Sequence, residues 1–462
     1  MNSVMAGGGG AQPSAYRREE MLAPGVSFAG LLRWTSITGV VASALLIDIG
    51  LGVLIAAVAS LLAVDILRPL ALANIALAYN FLLLEVGSTV ITVAGAPTVQ
   101  SFGASLAVAS LVGAVAGRQR SARGRRRVAD GQVFGQQAFA RSVRLLKVTI
   151  WFGLAVNVLQ VAQIGLSEYL SGAGLAADIQ TYASKGLSGQ QIVSLATGVL
   201  GMIVIALHVS ITVQTAGAKL AWRPMLLLGI GLPIIGLSRS EILFSAIALL
   251  LVRTFTRGKP VARDSVASRL LLALMTFALV FGLGVGIGTL REQALTGGGG
   301  ASSIVLKSEF SPVEVVDFAL GSSAPPRFHG STLFIPALAR FIPRRLFPAK
   351  PDNTAVRFTK ITAPNSYAAG YNIAPTAVGV LLLNFGVIIT LLAWSTVMFI
   401  IVRVVDRPST ISGYGVGVLV MVYASAYPLL RDDLANSVPQ LLIALLIYSV
   451  LRYQVIGRNP RA

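Results

Sequence analysis

Residues 238–241, Ser-Arg-Ser-Glu, set an arginine and a glutamate between two apolar stretches, PMLLLGIGLPIIG and ILFSAIALLLVRTF. Each stretch is short for a full membrane crossing. An ionisable side chain at membrane depth is costly, so Arg239 is a functional-site candidate by default. The alternative is that SRSE forms the polar tip of a hairpin. A guanidinium is always charged and grips phosphate through paired hydrogen bonds. Arg239 therefore suits chemistry in which negative charge builds on a phosphate leaving group.

A second basic set lies in residues 291–373, where nine Lys and Arg stand against five Asp and Glu. Within it, FIPRRLFPAKP (341–351) mixes bases with aromatic and aliphatic residues and three prolines. That mixture suits a segment at the lipid headgroup level facing an anion. Arg327, Arg340, Arg344, Arg345 and Lys350 join Arg239 as candidate pyrophosphate-binding residues. For Arg344 and Arg345 the alternative is snorkelling to lipid phosphates. His329, in PPRFHGSTLF, is the candidate general base, because imidazole titrates near neutrality. Glu309 and Glu314 are alternative bases, and a structural role for His329 stays open. His208 lies in mid-span, where it suits a helix–helix hydrogen bond.

The elements that must hold these groups are membrane helices. Apolar residues form 55% of the chain and charged ones 12%, with a mean hydropathy of +0.77, which excludes an ordinary soluble protein. Alternating segments of a membrane β-barrel are absent. About twelve helical spans are expected, at 30–47, 51–67, 70–94, 98–117, 148–169, 191–214, 222–237, 241–255, 270–290, 374–402, 410–430 and 437–452. A single long helix over 30–67 with an external N-terminus is the rival to two crossings there. No cysteine and two histidines leave a metal centre or a thiol nucleophile without ligands, so no metal and no cofactor is expected. There is no phosphate-binding glycine loop with its lysine to drive ATP-fuelled transport.

The net charge of +19 is read as a topology signal, not as a nucleic-acid site. Residues 118–147 carry Arg118, Arg120, Arg123, Arg125, Arg126, Arg127, Arg141, Arg144 and Lys147 against Asp130, which fixes that loop as cytoplasmic. An RNA or anionic-lipid patch is the alternative reading of the run. The remaining basic clusters agree, placing both termini inside and three segments outside: 170–190, the SRSE turn and 291–373. The expected organisation is a cytoplasmic tail (1–29), a membrane domain (30–290), a large external loop (291–373), a second membrane part (374–452) and a cytoplasmic tail (453–462).

Three stretches carry a family resemblance: GLSRSEILFSAIALLL (236–251), RFHGSTLFIPALARFIPRRLFPAKP (327–351) and AAGYNIAPTAVGVLLLNFGVI (368–388). Together, in this order, they resemble the Wzy-type O-antigen polymerases (oligosaccharide repeat unit polymerases), which are related to O-antigen ligases. The match covers most of the chain as layout and about 60 residues as motif. Where family members often carry a glutamate four residues before the Asn384-Phe385-Gly386 stretch, this chain has Val380, and paired Arg-and-Gly loop repeats are not found. The resemblance implies an all-α, GT-C-like bundle in the inner membrane. It also implies metal-independent transfer of a glycan from undecaprenyl pyrophosphate to the next lipid-linked repeat unit. Arg239 and Arg344 are the positions that carry over, with Arg345 as a neighbour. Undecaprenyl-pyrophosphate-linked oligosaccharides and membrane lipids would be its partners, alongside a chain-length regulator and a flippase.

Two other readings compete. A ligase of the same superfamily would pass the finished glycan to another acceptor, and His329 is compatible with it. A transporter of polysaccharide or lipid-linked sugar would line a path with ionisable residues, for which Asp48, Asp65, Glu85, Glu168 and His208 are the sparse candidates.

Overall fold

The computed structural model of the chain describes residues 58–60, 72–91, 95–122, 136–164, 199–207, 311–321, 327–339, 342, 346–368, 372–405 and 413–456. The described residues are helical and contain no strand. Among the described residues, four helical stretches are long and apolar enough to cross a membrane: Leu72–Thr89, Ala96–Arg118, Thr376–Val405 and Leu434–Leu451. The protein is thus a helical membrane protein. The expected spans at 30–47, 222–237, 241–255 and 270–290 lie outside the described residues.

Helix α1 (Leu72–Phe81) runs through a π-helical turn, Leu82–Val86, into α2 (Gly87–Val90). Helix α3 (Ala96–Ala122) follows, with Pro97 in its first turn, where a missing N–H costs nothing. Helix α4 (Gln136–Ile164) starts well inside the stretch expected as basic loop. Arg141, Arg144 and Lys147 therefore sit on a helix; hydropathy marks where a helix leaves the lipid, not where it ends.

Residues 311–368 supply four short helices, α5 (Pro312–Gly321), α6 (Phe334–Ala339), α7 (Thr354–Thr362) and α8 (Pro364–Ala368). The long α9 (Thr376–Ile400) then passes through a second π-helical turn, Ile401–Val405. Helix α10 (Gly413–Ala424) breaks at Ser425 before α11 (Ala426–Arg431), where one continuous span over 410–430 is expected from hydropathy. Pro428 in the first turn of α11 accounts for the new start. Helix α12 (Leu434–Ile456) runs past the boundary expected at 452.

The described residues form two large apolar cores and a small cluster of Leu72, Tyr423 and Ala426. One joins α1, its π-helical turn, α3, α5 and α9 through Leu84, Val99, Leu106, Val316, Leu383 and Met398. The other joins α4, residues 199–207, α10 and α12 through Ile150, Ile203, Met421 and Tyr448. In the first, the α3–α9 pair is closest. Gly113 and Gly117, one turn apart, let α3 approach the backbone of α9: a Cβ at Gly113 would collide with the Ser395 carbonyl, and one at Gly117 would lie 3.0 Å from the Phe399 carbonyl. In lipid there is no hydrophobic force between helices, so small residues that permit this contact matter. Trp394 Nε1 donates to Ser110 Oγ at 2.9 Å one turn away, closing the seam.

Contacts sort the connections between the two ends of this bundle. Gly95 abuts Asp317, and α7 meets the start of α12, so residues 95, 317, 355 and 433 share one end. Gly117 and Val402 meet toward the other end, near Arg118 and Arg403.

Gly113→Ala is expected to lower the thermal unfolding temperature although alanine is the better helix former. Overpacking costs about 1–3 kcal/mol. Gly153→Ala, at a helical position with nothing within 4 Å, is the matched control and should leave it unchanged or raised. Equal melting temperatures for the two variants would refute the backbone contact.

Candidate functional site

The site begins with a break in α9. Gly386 adopts φ 78° and ψ −179° inside the helix, a conformation that a side chain would strain. A break in a membrane helix frees backbone groups that water cannot satisfy, so the surrounding protein must. Thr390 Oγ1 donates to the Gly386 carbonyl at 2.7 Å. The Leu383 carbonyl, whose helical partner would lie beyond the break, accepts the Phe328 N–H at 3.1 Å.

That bond docks the turn 327–333 onto the break, and Asn384 locks it. Asn384 is 1% exposed. Its Oδ1 accepts the Gly330 N–H at 3.0 Å and the Thr332 hydroxyl at 3.0 Å. Its Nδ2 donates to the Val380 carbonyl at 2.8 Å and to Thr354 Oγ1 at 3.4 Å. Thr332 and Thr354 hydroxyls also pair, at 2.9 Å. One buried amide thus joins the kinked span, the turn and the start of α7. The bond to Val380 uses its backbone, so the side chain at 380 is not needed for it.

The turn is tight. His329 and Gly330 both have positive φ, 48° and 76°. Phe328 is buried beneath, while Arg327 and His329 are exposed. The Arg327 guanidinium covers the break, 3.6 Å from where a Cβ on Gly386 would sit. Arg357 of α7 stacks over the Phe328 ring with its guanidinium carbon 4.6 Å from the centroid, and donates to Ser331 Oγ at 3.3 Å. Two guanidinium groups and one imidazole therefore surround a single short turn.

Helix α7 is itself fixed at its start. Asn353 Oδ1 caps it by accepting the Val356 N–H at 2.9 Å. Asp433, 2% exposed, accepts the Ala355 N–H at 2.8 Å on one oxygen and the Ala435 N–H at 2.9 Å on the other. Its carboxylate therefore serves the N-termini of α7 and α12 together, where helix dipoles favour negative charge. Burial still dominates and pushes its carboxyl up to about 6, against the N–H donors of Ala355, Ala435 and Thr354, which pull it down.

Of the residues expected from sequence, Arg327 and His329 come together on this turn. Lys350 lies on a neighbouring turn, where its Nζ donates to the Ile342 carbonyl at 3.3 Å. Arg239, Glu309, Arg340, Arg344 and Arg345 lie outside the described residues, as does His208. Glu314 is exposed in the first turn of α5. Among the described residues no group of His, Asp and Glu is arranged to hold a metal. Arg357 is not a candidate from spacing; a helix and a proline-rich turn separate it from Arg327, and the Thr332–Thr354 pair and the shared bonds to Asn384 bring the two segments together.

Beside the turn, apolar side chains of α6, and that of Leu346, are uncovered: Phe334, Ile335, Leu338 and Leu346 are 61%, 51%, 82% and 78% exposed. Phe334 leans on Phe385 next to the break, with ring centroids 6.4 Å apart. Such a patch on a membrane protein beside a basic turn suits contact with lipid.

Compared with protein-family profiles, curated proteins and solved structures, the chain finds no match in any of the three.

Asn384→Ala should destabilise the protein by about 2 kcal/mol or more, since it leaves the Gly330 N–H and the Thr332 hydroxyl buried without their acceptor. Thermal unfolding in detergent measures this, and an unchanged midpoint would remove Asn384 from its central place. Asp433 gives a pH signature. Its carboxyl titrates higher in the folded chain, about 6, than its ordinary 3.8, so its stabilising share is complete below about pH 4 and is lost as pH rises through 6. Asp433→Asn should flatten the profile of unfolding temperature across pH 4–6.5, even though its absolute stability falls. A profile parallel to that of the unaltered protein would contradict the assignment.

Proposed function

We propose that this protein joins undecaprenyl-pyrophosphate-linked oligosaccharide repeat units into a surface polysaccharide, acting on the outer face of the inner membrane as a GT-C-like bundle of about twelve helices. The observation that carries this reading is the 327–333 turn. It offers two guanidinium groups and an exposed imidazole beside a broken membrane span and an uncovered apolar segment. The stretch is the same RFHGST run on which the resemblance to O-antigen polymerases rests, and Asn384-Phe385-Gly386 is the run that holds it.

The charge distribution supports the outer assignment. Arg118, Arg120 and Arg403 cluster toward the opposite end of the bundle, and basic clusters beside spans stay cytoplasmic.

In the reaction, a hydroxyl oxygen of the acceptor sugar attacks the anomeric carbon of the donor glycan. The bond from that carbon to the pyrophosphate oxygen breaks, and undecaprenyl pyrophosphate leaves with the electron pair. His329 takes the hydroxyl proton. Arg327 and Arg357 meet the charge growing on the leaving group, together with Arg239, Arg340, Arg344, Arg345 and Lys350 as further pyrophosphate ligands and Glu309 as a second base candidate. The pyrophosphate bond already holds the activation, so no nucleotide sugar enters. The exposed aliphatics of α6 would meet the polyprenyl chain.

The test is reconstitution of the purified chain in nanodiscs with undecaprenyl-pyrophosphate-linked repeat units and no nucleotide sugar. A product ladder spaced by one repeat unit is expected. Arg327→Ala should slow it about 10- to 100-fold with unchanged melting temperature, as loss of a charged hydrogen bond to phosphate does. His329→Ala should slow it about 100-fold or more. Transfer to an added lipid or protein acceptor without a ladder would make the protein a ligase, and no transfer at all would sink both readings.

A further inference from the structure

A second polar centre lies inside the membrane domain, away from the turn. Glu85 belongs to the π-helical turn Leu82–Val86 within the span Leu72–Thr89. It is 2% exposed, and neither carboxylate oxygen has a hydrogen-bond partner among the described residues. Both amide atoms of Gln100, also 2% exposed, and Nδ2 of Asn80 are in the same state. Three buried polar side chains thus carry atoms with no hydrogen-bond partner among the described residues. Buried polar groups are otherwise almost always paired.

Two of them, Glu85 and Asn80, border one cavity. Asn80, Glu85, Gly103 and Ser110 line it with Ser60, and its volume of 10 Å³ is about what one water needs. Gly103 makes the room: a Cβ there would collide with Glu85 Oε1. Ser110 already donates to the Leu106 carbonyl and accepts from Trp394, so its hydroxyl has little left to offer. The π-helical turn is itself informative, since an extra residue in a turn re-aims side chains and recurs at functional sites.

An ionised carboxylate here would need a countercharge. The described elements packed on this turn do not bring one. Helix α1 has no charged residue, and α5 adds only the acids Glu314 and Asp317. The basic residues of α3, Arg118 and Arg120, lie at its far end, with Arg118 about 22 Å along the axis from Gly103. Arg403 belongs to that same far end.

We propose that Glu85 is a proton-binding site within the membrane domain. Its carboxyl holds one proton taken from water, and a single water in the cavity links it to the amide of Asn80. The charge is cancelled on the carboxyl itself, and Asn80 Nδ2 gains an acceptor. Gly103 and the π-helical turn are the features that make space for this group against α3.

The test is infrared difference spectroscopy of the full chain in nanodiscs at neutral pH. A carbonyl-stretch band of a protonated carboxyl, shifting down in heavy water, is expected for the unaltered protein and should vanish in Glu85→Gln. Gly103→Ala, which presses on Oε1, should move the band without abolishing it, and carries the assignment should Glu85→Gln not fold. Absence of the band, or its persistence in Glu85→Gln, would overturn the proposal. So would a sodium-dependent rise in melting temperature, relative to choline, that Glu85→Gln loses; the countercharge would then be a metal ion.

Discussion

A helix that breaks inside a membrane exposes carbonyl and amide groups where no water can reach them. This constraint organises the end of the molecule that carries the candidate site. Gly386 breaks α9, and the Leu383 carbonyl freed by the break is taken by the Phe328 N–H from the turn. The turn is held because the span needs it, and the break persists because the turn is there. Asn384 couples the two so that neither can relax alone. The positions of Arg327, His329 and Arg357 follow from that coupling. Long polar side chains on an exposed loop would otherwise sample many arrangements, and ordering them on a buried framework removes that entropy before any ligand arrives.

Much of this framework was legible in the residues and some was not. Composition and hydropathy were enough for a helical membrane protein, and they marked the spans near 72–89, 96–118, 376–405 and 434–451. The Asn-Phe-Gly run drew notice through resemblance, but its physical role is a kink, which hydropathy averages away because Asn384 and Gly386 sit among leucines and isoleucines. The helices at Gln136 and Ile456 extend beyond the expected spans because a helix continues past the lipid wherever its backbone is satisfied. Arg357 and Asp433 were invisible as site residues because their importance is tertiary. Asp433 reads as one of a pair of surface acids between two helices, whereas its carboxylate is buried against α7, far away in the chain. His329 and Arg327 were legible because the turn that presents them is local.

The two polar centres of the molecule are built on opposite logics. Around Asn384 each donor meets an acceptor, and the result is a rigid, dry junction. The Glu85 carboxylate oxygens are equally buried but have no partner among the described residues, which is the condition of a place that holds something small and exchangeable. Glu85 packs against α3 and Asn384 belongs to α9, and these two long helices meet in a glycine-lined contact at Gly113 and Gly117. The stiff seam is a common reference for both.

The apolar side chains of α6 reach beyond the site. Helix α6 packs on α12, whose Leu442, Leu446 and Val450 are themselves exposed at 58%, 64% and 50%. The hydrocarbon-loving girdle of this protein therefore does not stop at the ends of its spans but climbs onto the loop at one end. A detergent belt fitted only to the spans would leave Leu338 and Leu346 facing water. Short-chain detergents would then strip the molecule of cover where its basic turn lies, and purified particles would stick to one another by that end first.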